Sequence, residues 1–217
     1  MYKLAIFDMD GTILDSLEDI VLCCNRALED FGFPSHPREA YHYFIGNGAR
    51  TLVQRSMPKE KQFDEALLDA VHARYTAYYK DHGNDHTCPY PGIVDILTKL
   101  KENGVRLGVV SNKPNAPTNE LAELHFPGLF DLVFGERNGV PIKPAPNAIY
   151  EMMEHLDVTA GETIYFGDSG VDMETGVNAG LYTVGVLWGF RPKNELEENG
   201  ATCTIDKVEQ IADLILN

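Results

Sequence analysis

Leu4-Ala5-Ile6-Phe7 is an unbroken apolar run, the pattern of a strand buried on both faces, and it stops at a carboxylate, Asp8. Asp10, Gly11 and Thr12 follow at once. In extended backbone, positions i and i+2 point to the same side, so Asp8 and Asp10 can converge on one small volume. Two like charges held that close cost free energy unless a cation, a shared proton or a charged ligand relieves them. Asp-Gly is also ordinary turn chemistry, so these residues alone leave a solvated acidic corner open.

The pattern then changes period. Leu17, Ile20, Val21, Cys24, Leu28 and Phe31 recur at helical spacing, with Asp15 or Ser16 as cap and Gly32 as the stop. Residues 51–57 predict a short helix, and Leu67, Leu68, Val71, Tyr75, Tyr78 and Tyr79 mark a longer amphipathic one. No strand is predicted between residues 15 and 87. From Tyr90-Pro91-Gly92 onward, helices (93–100, 119–125, 147–155, 172–179, 208–216) alternate with strands (105–110, 132–134, 163–166, 183–186). That alternation predicts an α/β fold, a mostly parallel Rossmann-like sheet with helices on both faces. Residues 1–14 and 83–217 then form the α/β core domain. Residues 15–82 form a small inserted all-helical domain, because connections within one compact domain are usually much shorter. Ligands in open α/β sheets bind outside the carboxyl ends of the strands. A helical insert just after the first strand is placed to cap such a site, hinging near residues 15–18 and 81–85.

Composition narrows the partners. The 217 residues are 44% hydrophobic and 24% charged, as in ordinary globular proteins, but the formal net charge is −15. Such acidity argues against nucleic acid and against an anionic membrane surface as partners. No apolar stretch approaches the ~20 residues that span a bilayer. Cys23, Cys24, Cys88 and Cys203 lack the spacing of a zinc or redox motif, which predicts reduced, mostly buried thiols. The first residues carry no basic-then-apolar leader, and a cytoplasmic protein is expected. Monomer and homodimer are not distinguished by these patterns. An anionic substrate would need local positive charge to overcome the overall field.

Polar residues just past the predicted strands supply it. Ser111-Asn112-Lys113 follow one strand, Gly167-Asp168-Ser169-Gly170-Val171-Asp172 follow another, and Lys143 lies between them in Ile142-Lys143-Pro144. Each is common turn or cap chemistry taken singly. Jointly they bring Asp8, Asp10, Asp168, a hydroxyl, an amide and an ammonium to one crevice. Oxygen-only carboxylate ligands suit a hard cation such as Mg²⁺.

In order, Asp8-x-Asp10-Gly11-Thr12, Ser111, Lys143 and Gly167-Asp168-x-x-x-Asp172 resemble the four motifs of the haloacid dehalogenase-like hydrolases, in matching context over nearly the full length. The resemblance implies a Mg²⁺-dependent phosphatase that acts on a small phosphorylated metabolite through an aspartyl-phosphate. By the same resemblance Asp8 is the nucleophile, and Asp10 is the acid for the leaving group and then the base for water. Mg²⁺ would be held by the carboxylates of Asp8 and Asp168 and the backbone carbonyl of Asp10. Gly11, Ser111, Asn112 and Lys143 would bind the phosphoryl group, and Asp172 would support the metal or the lysine. A carboxylate nucleophile divides a difficult hydrolysis into two displacements. Phosphoryl transfer mostly demands positioning and charge neutralisation.

Asp10 separates the chain from the superfamily's true dehalogenases, which have no aspartate at that position. The cap segment Ile45-Gly46-Asn47-Gly48 followed by Arg50 is similar to the cap loop of phosphoglycolate phosphatases. The tail, with Trp188-Gly189-Phe190, Glu195-Leu196 and Gly200-Ala201, also looks like theirs. Two glycines around a small amide make a turn that can offer N–H groups to an anion, and Arg50 can pair with a carboxylate. The expected substrate is 2-phosphoglycolate. A pyrophosphatase, nucleotidase or β-phosphoglucomutase of the same superfamily is the alternative, and a phospho-aspartate signalling module a more distant one.

Overall fold

The structure is a computed structural model describing residues 2–217. β1 (Leu4–Phe7) leads through a tight turn into β2 (Leu14–Asp15). Four helices follow, α1 (Leu17–Asp30), α2 (Arg38–Phe44), α3 (Ala49–Ser56) and α4 (Glu65–His82), before β3 (Cys88–Pro89). The chain continues through α5 (Ile93–Glu102), β4 (Arg106–Pro114), α6 (Asn115–His125), β5 (Leu132–Glu136) and α7 (Asn147–Leu156). It ends with β6 (Thr163–Gly167), α8 (Gly170–Ala179), β7 (Tyr182–Val186), α9 (Lys193–Glu198), β8 (Cys203–Ile205) and α10 (Gln210–Leu216).

Six strands form one sheet in the order β5-β4-β1-β6-β7-β8, every neighbouring pair parallel. The predicted α/β class is what the sheet shows. Leu4 and Ile6 pack with Ile149, Met152 and Tyr165 on one face, while Ala5 and Phe7 pack with Ile93, Leu97, Phe166 and Ile211 on the other. Both faces of β1 are therefore covered, which is why its sequence is a continuous apolar run and not an alternation. Phe7 and Phe166 stack across neighbouring strands with ring centroids 4.9 Å apart. β1 has β4 on one side and β6 on the other, so the direction of chain progression reverses there. In open parallel sheets that reversal opens a crevice at the carboxyl ends of the strands.

Three features differ from the sequence expectation. β4 does not end at Val110 but continues through Ser111, Asn112 and Lys113, its register against β5 shifting on the way. α2, α9 and β8 carry no predicted counterpart, being too short or too polar for a periodic signal; Leu196, for example, is the one buried residue of α9. All four cysteines are free, but only Cys23 and Cys24 are buried.

The chain divides into two compact units, one ending at Leu14 and resuming at Pro89, the other Asp15–Cys88. In the second unit α1 packs along α4, and Leu17, Ile20, Cys24, Leu28, Leu68, Val71 and Tyr75 are buried. Asp64 caps α4 by accepting the Leu67 N–H at 3.2 Å. The unit extends beyond the expected boundary at residue 82 because Asp19, in the first turn of α1, ties down the residues after α4. Its buried carboxylate accepts the backbone N–H groups of His86 (3.0 Å) and Thr87 (2.8 Å), the Thr87 hydroxyl (2.7 Å) and His86 Nδ1 (2.8 Å). Among the described residues no helix is long and apolar enough to cross a membrane.

Burial alone would raise the Asp19 carboxyl, but the His86 and Thr87 hydrogen bonds outweigh it and hold it below the usual carboxylate range. The same bond holds the His86 imidazole above its ordinary range. The Asp19 share of stability is present above its unfolded pKa and lost as pH falls; the His86 share is present below its unfolded pKa and lost as pH rises. The clamp is thus strongest between about pH 4 and 6.5. Asp19→Asn is expected to cost about 2–3 kcal/mol in urea denaturation at pH 6. The cost should shrink on acidification below pH 4; a cost independent of pH would refute the clamp.

Candidate active site

The site grows from the turn after β1. The Asp8 N–H donates to the Phe166 carbonyl (2.9 Å), continuing the β1–β6 pairing one residue past the strand. The Met9 carbonyl then accepts the N–H groups of Thr12, Ile13 and Leu14 at 3.2, 3.1 and 3.0 Å. Gly11 sits at φ +87°, and a Cβ there would overlap the Asp168 carboxylate. Glycine is required at that point on both counts. From beyond β7, Trp188 Nε1 donates to the Thr12 carbonyl at 3.0 Å and closes the turn from outside.

Lys143 comes from a connection between β5 and α7 that has no regular structure of its own. Asn112, at the end of β4, fixes it: the Asn112 side chain accepts the Lys143 N–H (2.9 Å) and donates to the Lys143 carbonyl (3.1 Å). The asparagine side chain is thereby engaged by the Lys143 backbone. The Lys143 ammonium, 4% exposed, donates to Asp8 Oδ1 (2.6 Å) and Asp172 Oδ1 (2.7 Å). Asp172 is itself fully engaged. The Tyr165 hydroxyl donates to Oδ1 (3.0 Å), while the Ser169 hydroxyl (2.6 Å) and N–H (3.1 Å) reach Oδ2 in the capping box of α8. Asp168 Oδ2 accepts the Phe190 N–H at 2.7 Å, and Thr12 Oγ1 lies 3.5 Å from its Oδ1. Ser111 Oγ accepts the Lys113 N–H (3.2 Å), and the Lys113 ammonium reaches both Asp10 oxygens at 2.9 Å.

Burial, then the Asp172 charge, pushes the Asp8 carboxyl up to about 7 against the opposing pull of Lys143. Burial and the charges of Asp172 and Asp8 likewise hold Asp168 well above the usual range. Burial would lower Lys143, but Asp172 and Asp8 outweigh it and hold the ammonium well above its ordinary value. One carboxylate oxygen each from Asp8, Asp168 and Asp172 lie within 4.8 Å of one another. Three carboxylates against one ammonium leave negative charge unbalanced, and a divalent cation would balance it. The donor set, all oxygen and buried, fits a hard cation. Asp172 is the most heavily engaged of the three, with Lys143 and Tyr165 on Oδ1 and Ser169 on Oδ2.

Asp8, Asp10, Gly11, Ser111, Asn112, Lys143, Asp168 and Asp172 therefore all gather at the carboxyl ends of β1, β4 and β6. Gly46, Asn47, Gly48 and Arg50 belong to the helical unit. There Gly46 and Gly48 take φ of 120° and 84°, and Asn47 Oδ1 accepts from Arg55 (2.8 Å), which also reaches the Tyr43 and Phe44 carbonyls. Arg50 pairs with Glu65 (2.5 Å) and Asp69 (2.9 Å) on α4. From the sequence, Lys113 and Phe190 were given no contact within the site, and Tyr165 and Arg55 were left out altogether. Tyr165 had a readable signal, since a tyrosine inside an apolar buried strand must find a partner for its hydroxyl.

The site is thus a set of carboxylates at the reversal point of a parallel sheet, backed by a buried lysine. Residues 5–186 match the family model of the haloacid dehalogenase-like hydrolases, and the chain belongs to that family. Its relatives include the phosphoglycolate phosphatase of Haemophilus influenzae, 31% identical over 220 residues (99% of this chain, 98% of that protein). The phosphoglycolate phosphatase of Aliivibrio fischeri is 30% identical over 214 residues (96% and 94%). Among solved structures, a protein of Lactobacillus delbrueckii subsp. bulgaricus, provisionally named a phosphoglycolate phosphatase, superposes with a TM-score of 0.92 at 36% identity (99% of this chain, 98% of that one). Within the family the chain stands with the phosphatases.

Removing the Lys143 charge leaves Asp8 facing Asp172 unrelieved. Lys143→Met is expected to cost roughly 3–5 kcal/mol in metal-free urea denaturation. Tyr165→Phe, which removes one hydrogen bond from Asp172, should cost only about 1 kcal/mol. Equal losses in the two variants would contradict this ordering.

Proposed function

We propose that the chain is a Mg²⁺-dependent phosphomonoesterase that hydrolyses 2-phosphoglycolate to glycolate and phosphate through an aspartyl-phosphate. The observation that carries this reading is the buried Asp8 carboxylate, held by Lys143 at 2.6 Å and followed two residues on by Asp10. An Asp8 oxygen attacks phosphorus, and the P–O bond to the substrate carbon's oxygen breaks as Asp10 gives that oxygen its proton. Water then attacks phosphorus, losing a proton to Asp10; phosphate leaves and the Asp8 carboxylate is restored. Lys143 orients Asp8, and with the Ser111 hydroxyl and the N–H groups near Gly11 and Asn112 it offers donors to the phosphoryl oxygens. Asp8, Asp168 and the Asp10 carbonyl would hold Mg²⁺, which when bound supplies charge neutralisation on the phosphoryl group.

Choice of a small phosphorylated acid is assigned to the helical unit, acting as a cap through Gly46, Asn47, Gly48 and Arg50. The phosphoglycolate phosphatases related to this chain support that choice. So does the exposure of the Arg50 partners, since ion pairs between exposed groups are weak enough to be exchanged for a substrate carboxylate.

Asp8→Asn is expected to lower kcat at least roughly a thousandfold, and chelation of divalent metal should abolish activity until Mg²⁺ is returned. Retention of full activity by Asp8→Asn would end the reading. Parallel assays on 2-phosphoglycolate, pyrophosphate, nucleotides and β-glucose 1-phosphate test the substrate, and preference for any other than the first would replace it. Arg50→Ala should raise KM for 2-phosphoglycolate about tenfold while leaving phosphate esters without a carboxylate unaffected.

A further inference from the structure

We infer that Lys113 is a positioning residue for Asp10, fixing the orientation in which Asp10 exchanges its proton with the leaving group and with water. The inference rests on the acid-base role proposed for Asp10. Lysine is rarely buried without a partner, yet the Lys113 side chain is 7% exposed and its partner Asp10 12%. The ammonium stands 2.9 Å from each Asp10 oxygen, a symmetric grip across 103 positions of sequence. The backbone that aims it is itself held. The Lys113 N–H donates to Ser111 Oγ (3.2 Å), and the Lys113 carbonyl accepts from Thr118 Oγ1 (3.2 Å). Ser111 and Lys113 are two apart on β4 and so share a side, whereas Asn112 turns the other way to Lys143. One strand end therefore aims a hydroxyl and an ammonium into the crevice and ties down Lys143 with the residue between.

Asp10 lies in the turn after β1, where its carboxylate could adopt several rotamers. A general acid must present one oxygen to the atom it protonates, and misplacement of about 1 Å is costly. Both Asp10 oxygens accept from Lys113 here. When one oxygen carries the proton it gives up that contact while the other keeps it, so the grip fixes the plane in which Asp10 meets the leaving alkoxide and the water.

Leaving-group dependence tests this. An alkoxide must be protonated as it departs, whereas p-nitrophenolate departs without help. In single-turnover experiments, Lys113→Met should slow glycolate release from 2-phosphoglycolate about a hundredfold. First-turnover release of p-nitrophenolate from p-nitrophenyl phosphate should stay within about threefold of the unmodified enzyme. Lys113→Arg should recover much of the glycolate rate, and Lys113→Gln, which keeps a donor, should fall between if Met is not tolerated in the fold. Asp10→Asn should show the same selectivity, and the double variant Asp10→Asn/Lys113→Met should lose little more than Asp10→Asn, as expected for residues acting as a unit. Equal slowing of both substrates, or no slowing, would overturn the inference while leaving the phosphatase reading intact. If Asp10→Asn itself showed no selectivity, the acid-base reading would fall and this inference with it. Loss of all phosphatase activity in the unmodified protein would instead remove the proposed function.

Discussion

A lysine ammonium buried between two carboxylates is the constraint on which the rest of the site depends. Lys143 is held by Asp8, just past β1, and by Asp172, in the first turn of the helix that follows β6. Burying a charge is expensive unless it is paired and its remaining donors and acceptors are satisfied. The surrounding residues meet that requirement. Asn112 secures the Lys143 backbone, Tyr165 shares Asp172 Oδ1 with Lys143 while Ser169 takes Oδ2, and the β1–β6 register brings Asp8 and Asp172 within reach of one ammonium. A chain with a formal charge of −15 thus keeps two buried ammonium groups, Lys143 and Lys113, each paired with an aspartate of the turn after β1.

The sheet order makes this arrangement possible. β1 is flanked by the strands that carry Ser111–Lys113 and Asp168, so three separate stretches of chain end side by side. Close approach there is steric as well as electrostatic. Gly11 has no room for a Cβ beside Asp168, and the segment after β7 reaches over to donate from Phe190 to Asp168 and from Trp188 to the Thr12 carbonyl. The helical unit solves a separate problem, with its own buried core and with Asp19 fastening the returning chain to the first turn of α1. Its glycine turn is held open by Arg55, not by Arg50.

Much of this was legible in the residues. Unbroken apolar runs marked strands covered on both faces, and the switch to helical spacing at Leu17 marked the insert. Asp8, Ser111 and Asp168 announced themselves by falling just past predicted strands, and Lys143 by its place between them ahead of a helix. Short elements were not legible: α9 is polar except for Leu196, and its place in the fold depends on that residue finding a buried site against distant residues. Nor was the continuation of β4 through Lys113, because a polar strand end looks like a loop when its neighbours are unknown.

The sequence by itself determined which chemical groups are present and where strands and helices alternate, since both follow from local composition and local periodicity. Only the tertiary structure decided which ammonium serves which carboxylate. Lys143 pairs with Asp8 across 135 positions and Lys113 with Asp10 across 103, and from residue order either lysine could have served either aspartate. The choice was made by the order and register of parallel strands, which align residues according to packing on both faces of the sheet and not according to their distance along the chain.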